Sequence, residues 1–151
     1  MANTTPPWRS LHSYIKTAMI SSGITNVGNS AFYNCHNLLS FVLPDSISAV
    51  GSNAFYNCRS LQEITIPSAV TSIGDFAFYG CSSLRGITVP SGVTSLEACT
   101  FNECSSLESV SIPETVTDIK YAAFHNCRSL QSITIPSSTT KIGRASCRER
   151  V

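Results

Sequence analysis

Charge is scarce in this chain. Asp, Glu, Lys and Arg together make up 13% of its 151 residues, against about 25% in an ordinary soluble protein. Ten basic side chains face nine acidic ones, a net charge of +1. That balance excludes an electrostatic footprint for nucleic acid or an anionic membrane. No apolar run approaches the roughly 20 residues that span a bilayer. The opening MANTTPPW has neither the basic start nor the apolar core of a signal peptide, so the chain as written carries no address. Seven cysteines are present, but a zinc site of the common type needs two C-x₂₋₄-C pairs, and Cys99 and Cys104, which flank Phe101, stand without a second one. No phosphate loop, paired-carboxylate pattern or Ser/His/Asp constellation stands out, so no catalytic residue, metal or cofactor is expected. What the chain does have is 42% hydrophobic residues, enough for one folded domain.

Five of the cysteines, Cys35, Cys58, Cys81, Cys104 and Cys127, follow one another at 23 residues, and their surroundings recur with them. A fixed period between about 20 and 50 residues marks a solenoid, whose units bury their apolar faces against their neighbours. Five complete units run over 24–46, 47–69, 70–92, 93–115 and 116–138. The second reads IxxVGxNAFYNCRSLQEITIPxx. The segment L-x-x-I-x-I-P alternates at period two and favours β-branched residues, which predicts a short strand closed by its proline. In A-F-x-x-C, the Phe and Ala stand three and four residues before the Cys, which predicts a single helical or 3₁₀ turn with these side chains on one side. Gly28, Gly51 and Gly74 supply a turn before it. The expected core ladder is Phe32, Phe55, Phe78, Phe101 and Phe124 with the five cysteines. Stacked strands about 4.8 Å apart then give one parallel sheet.

L-x-x-I-x-I-P with A-F-x-x-C at this period resembles the BspA-like leucine-rich repeats, over residues 24–138. What the resemblance implies is a right-handed α/β solenoid with one parallel sheet on its concave face and short helical, 3₁₀ or irregular returns. Ile15, Ala18 and Ile20 occupy the strand columns of a partial unit within 1–23, and Trp8 is placed to cap that end. Thr100 departs from the Ala column, Glu97 and Lys120 from the turn Gly, and Thr139 from the next Ile or Val.

Both ends read as foreign to the repeat. Residues 139–143 begin a sixth unit, but IGRASCRERV resembles the translation of a sequencing adapter, so residues 144–151 are expected to be non-native, Cys147 included. Met1 with Pro7-Trp8 resembles a segment that precedes the first repeat in family members, so the natural chain is expected to be longer at both ends. Uncapped ends of this kind would also permit self-association. Asn3-Thr4-Thr5 forms a glycosylation sequon on paper.

The cysteines have three readings. Disulfides need Cα atoms roughly 4.4–6.8 Å apart, closer than the return side of a curved solenoid is expected to hold them. A nucleophile needs a nearby base, but His36 and His125 sit at outward positions while the cysteines point inward. The favoured reading is a buried ladder of small apolar fillers. Function is sought instead on the strand positions that face outward. One rank runs Met19, Val42, Thr65, Thr88, Ser111, Thr134. A second includes Glu63 and Gly86, and a third Leu39, Gln62, Arg85, Glu108 and Gln131. Arg85 between Glu63 and Glu108 makes a charged centre on a hydroxyl-rich strip, with an apolar end at Met19, Leu39 and Val42. The plain alternative is a solvated face whose hydroxyls bond one another across strands. The resemblance implies a non-catalytic, adhesion-type protein-binding module of a bacterial cell-surface or secreted protein, its partner a host or neighbouring-cell protein. A structural spacer in a larger surface protein, or a protist interaction module, is the alternative.

Overall fold

The computed structural model describes residues 5–144, and every paired strand residue stands 23 positions from its partner. The L-x-x-I-x-I-P segments form the first ladder: β1 (Thr17–Met19), β3 (Ser40–Val42), β5 (Glu63–Ile64), β7 (Gly86–Thr88) and β9 (Ser109–Ser111). β1, β3 and β5 pair in parallel, as do β7 and β9. Between β5 and β7 the Arg85 N–H bonds the Gln62 carbonyl at 3.3 Å. The strand expected at Ile133–Ile135 is not formed, although both side chains still pack on the core.

A second ladder departs from the single expected sheet. It consists of β2 (Asn26–Val27), β4 (Ala49–Val50), β6 (Ser72–Ile73), β8 (Ser95–Leu96), β10 (Asp118–Ile119) and β11 (Lys141–Ile142). All its pairings are parallel, with β2, β4 and β6 in one group and β8, β10 and β11 in another. Each strand from β2 to β10 turns one apolar residue inward, from Val27 to Ile119, whereas Ile142 of β11 is exposed. The fold is therefore a β-solenoid with parallel strands on two faces.

The helical returns, and the α/β label with them, are overturned. The only helix among the described residues is the 3₁₀ turn Arg9–Leu11, outside the repeats. Each return instead holds two residues in the left-handed region, four apart: Ser30 and Asn34, Asn53 and Asn57, Phe76 and Gly80, Cys99 and Glu103, Ala122 and Asn126. A left-handed residue cannot extend a right-handed helix. The N–H groups then alternate. Those of Ala31, Tyr33 and Cys35 close turns onto residues three back, while those of Ser30, Phe32 and Asn34 cross to Ser52, Ala54 and Tyr56 of the next repeat. A helix would keep both sets within its own segment. The return is thus a third ladder between repeats.

The interior is a stack of identical layers. Phe32, Phe55, Phe78, Phe101 and Phe124 lie face to face, with ring centroids 5.3–5.6 Å apart, within the range in which offset rings attract. All five cysteines of the ladder are buried. They do more than fill space. The thiols of Cys58, Cys81, Cys104 and Cys127 donate to the carbonyls of Phe32, Phe55, Phe78 and Phe101 at 3.1–3.2 Å. Each of those carbonyls also accepts the N–H of the cysteine in its own repeat. Two departures from the pattern are resolved locally. Fully buried Thr100 bonds the Glu97 carbonyl at 2.7 Å, and Thr139 bonds that of Val116 at 2.8 Å.

Arg144 remains in register, its carbonyl accepting the Ala122 N–H. The rest of the expected non-native tail with Cys147, together with Met1 and the Asn3-Thr4 pair, lies outside the described residues.

Candidate functional face

Strand periodicity places the strip. Because Phe41, Ile64 and Ile87 point inward, their neighbours in β3, β5 and β7 point out. Met19, Leu39, Val42, Gln62, Glu63, Thr65, Arg85, Thr88, Glu108, Ser111, Gln131 and Thr134 are all exposed. Gln131 and Thr134 fall in the stretch without strand pairing. Met19 and Val42 are direct cross-strand partners and stand 78% and 57% exposed, so the apolar end of the strip is on the surface. Gly86 lacks a side chain in the rank of Ser40, Glu63 and Ser109. Around it lies a shallow groove of about 560 Å³, lined by Thr65, Gly86, Thr88, Ser109 and Ser111.

The charged centre is not an ion-pair network. Among the described residues the one salt bridge is Lys120–Glu97, on the other ladder. Arg85, Glu63 and Glu108 therefore lie near one another without a pairing contact. The hydroxyls of Thr65, Thr88, Ser111 and Thr134 do not bond one another either. None of the nine polar side chains of the strip makes a hydrogen bond within the described chain.

A second surface escaped the sequence reading. A larger groove of about 970 Å³ follows the second ladder over its first repeats, floored by Gly28, Gly51 and Gly74 and flanked by Asn29, Ser52 and Asp75. Its polar groups are tied between repeats. Asn29 Oδ1 accepts the Ser52 N–H at 2.9 Å, and Asp75 Oδ1 accepts the Ala98 N–H at 3.0 Å. Ser48, Thr71, Thr117 and Thr140 each donate to a carbonyl one repeat earlier. At the far end Glu97 and Lys120 replace the glycines and join side chain to side chain, and that hydrogen bond raises the Lys120 ammonium pKa. The glycine column was the available signal, since it marks a floor as well as a turn. On the return side Tyr33, Tyr56 and Tyr79 stack at 4.7–4.8 Å.

The thiols are unsuited to nucleophilic work. Burial pushes the Cys35 thiol up to about 11, and those of Cys58, Cys81 and Cys104 higher still, whereas a reactive cysteine is shifted down. His36 directs Nδ1 to the Asn57 carbonyl. Among the described residues no three His, Cys, Asp or Glu side chains converge on a metal position.

The family model for the BspA type leucine rich repeat region matches residues 13–149, in six copies. The chain belongs to the BspA-type leucine-rich repeat family. A leucine rich cell surface protein of Faecalibacterium prausnitzii is 31% identical, with a TM-score of 0.67, over 87% of this chain and 44% of its own. A leucine-rich repeat protein of Bacteroides ovatus gives 29% identity and a TM-score of 0.73 over 87% of this chain and 40% of that one. The Leucine Rich Repeat protein of T. pallidum gives 26% and 0.73, over 85% and 73%. This BspA-type chain thus spans less than half the length of the first two. No curated protein matches it in sequence.

Proposed function

We propose that the chain is a non-catalytic protein-binding module of a bacterial cell-surface or secreted protein, of adhesion type, and that it binds through the strand face. The observation that carries this is the row of nine exposed polar side chains, from Gln62 to Thr134, with no hydrogen bond inside the described chain. Polar groups of this kind can bond a partner without first breaking contacts of their own. Membership of a family of interaction repeats supports the class of function, and the surface placement of the F. prausnitzii protein supports the location. Arg85 is the expected anchor, since arginine is enriched among residues that dominate interfaces. The partner is a protein of a host or neighbouring cell surface.

The test is capture of surface-biotinylated proteins from mucosal epithelial cells on the immobilised chain, compared with the Arg85→Ala/Glu108→Ala double variant. Capture should fall by about tenfold or more, as for the loss of one strong contact, with an unchanged far-ultraviolet circular dichroism spectrum. Equal capture by both proteins would favour a structural spacer.

A further inference from the structure

The aromatic stack does not end at Phe32. Trp8 lies on its outer side, with centroids 5.5 Å apart and planes 17° from parallel. That is the spacing of the phenylalanines among themselves. The hydrogen bonding matches too. The N–H groups of Phe32, Phe55, Phe78 and Phe101 donate to the carbonyls of Ala54, Ala77, Thr100 and Ala123 at 2.7–2.9 Å. Ala31 opens that column, and its carbonyl is met by the Trp8 indole Nε1–H at 2.7 Å. The residue 23 positions before Phe32 is Arg9, which begins the 3₁₀ turn and sends its N–H to the Pro6 carbonyl. One side chain, a residue out of register, thus supplies both the ring and the donor that a phenylalanine and its backbone supply in a repeat.

We propose that Trp8 is a plug standing in for the phenylalanine of one further repeat, and that the outer face of Phe32 with the Ala31 carbonyl is a socket for an indole. The segment around the plug is loosely held. No residue of Arg9–Leu11 is buried, and Leu11 and Tyr14 are exposed. Beyond Trp8 its ties are few, such as Asn37 Nδ2 to the Ser13 carbonyl at 2.6 Å. The plug therefore leaves and returns without the repeats unfolding. An indole fits better than a plain ring, because a withdrawn Trp8 leaves the Ala31 carbonyl without its donor.

Trp8 is the only tryptophan in the chain, so its emission reports the plug directly. In denaturant the emission of the wild-type chain should shift to the red before the circular dichroism changes. Trp8→Ala should stay folded with its thermal midpoint lowered by roughly 5 °C. Free indole should restore that midpoint saturably, and toluene, which has no donor, should restore it less. Trp8→Phe should fall between wild type and Trp8→Ala. The proposal is overturned if indole leaves Trp8→Ala unchanged, or if Trp8→Ala is as stable as wild type. It is equally overturned if Trp8 emission follows the circular dichroism at every denaturant concentration, a measurement that needs no variant.

Discussion

The two outward faces of this solenoid are made from the same repeat and treat their polar groups in opposite ways. On the second ladder, Asn29, Asp75 and the hydroxyls of Ser48, Thr71, Thr117 and Thr140 bond the neighbouring repeat. On the first ladder, the side chains of Thr65, Thr88, Arg85, Glu63 and Glu108 bond nothing in the described chain. The cause is backbone geometry. The first ladder satisfies its own N–H and C=O groups along strands of up to three residues. The second has two-residue strands; beyond them Asn29 and Asp75 take up the N–H groups of Ser52 and Ala98, while the hydroxyls share carbonyls that already accept a backbone N–H. One face thus holds the repeats together while the other is left for contact. A substitution on the second ladder should change stability, and one on the first should change binding.

The zipped face should hold the interior closed, and the thiols behind it report whether it does. At pH 8, iodoacetamide should modify Cys35, Cys58, Cys81 and Cys104 at least about a thousandfold more slowly in the native chain than in denaturant, since the reaction must wait for opening. Rapid native labelling would break the comparison. Alkali sharpens it. The Cys35 thiol is raised from its ordinary 9.0 to about 11, so the unfolded chain ionises first. Stability attributable to that thiol is complete below pH 9 and is lost as pH rises from 9 to 11. The thiols of Cys58, Cys81 and Cys104, raised further, prolong the decline. Denaturant midpoints measured between pH 8 and pH 11 check the sign.

Next in size is the floor of the larger groove. A Cβ at Gly74 would lie 2.5 Å from the Ser52 backbone nitrogen, and one at Gly51 2.7 Å from that of Asn29. Backbone cannot swing aside as a side-chain tip can. Gly74→Val should therefore cost about 2–3 kcal/mol, the upper part of the range for overpacking, read as a shift in urea midpoint. Gly86→Ala is the matched change on the strand face. Its Cβ would meet the movable Ser109 hydroxyl at 3.1 Å and the Ser109 carbonyl at an ordinary 3.9 Å, and its cost should stay near or below about 0.5 kcal/mol, the usual scatter for surface changes.

Much of this was legible before any coordinates. The inward columns could be read because L-x-x-I-x-I-P shows period two and the same apolar types return every 23 residues. The exposure of Arg85 and Glu108 followed from them. The second ladder was not legible, because strands such as Asn26–Val27 turn a single residue inward and a single residue shows no alternation. The helical expectation failed at a signal that was present. The residue before the ladder cysteine is Asn34, Asn57, Gly80 or Asn126 in four repeats of five, and Asn and Gly are the residues that tolerate a left-handed backbone. Spacing alone suggested a helix; the residue types ruled it out. The bonding of the faces could not be read at all, since Thr71 and Thr88 are equally plausible surface threonines in the sequence.

A carboxylate on the zipped face gives a smaller effect than the glycine floor. Asp75→Ala removes the acceptor of the Ala98 N–H and should cost about 1.5–2 kcal/mol, the lower part of the range for a hydrogen bond to a charged group, with partner capture unaltered. Asn29→Ala should cost less, about 1 kcal/mol, because its acceptor is neutral. Loss of capture in Asp75→Ala at full stability would move the binding face to the second ladder.

The smallest expected effect is the most discriminating. Thr65→Ala/Thr88→Ala removes two exposed hydroxyls that have no partner in the described chain, so no desolvated group is stranded and stability should change by less than about 0.5 kcal/mol. The methyl groups are lost as well, but they lie exposed above β5 and β7 and cover little. Had the hydroxyls bonded across strands, the pair would have cost about 1 kcal/mol or more. A null result in urea unfolding, together with weaker capture in the assay that tests Arg85 and Glu108, assigns these hydroxyls to the partner. A stability loss above 1 kcal/mol would instead make the strand face a second zipped surface, and the contrast between the two faces would disappear.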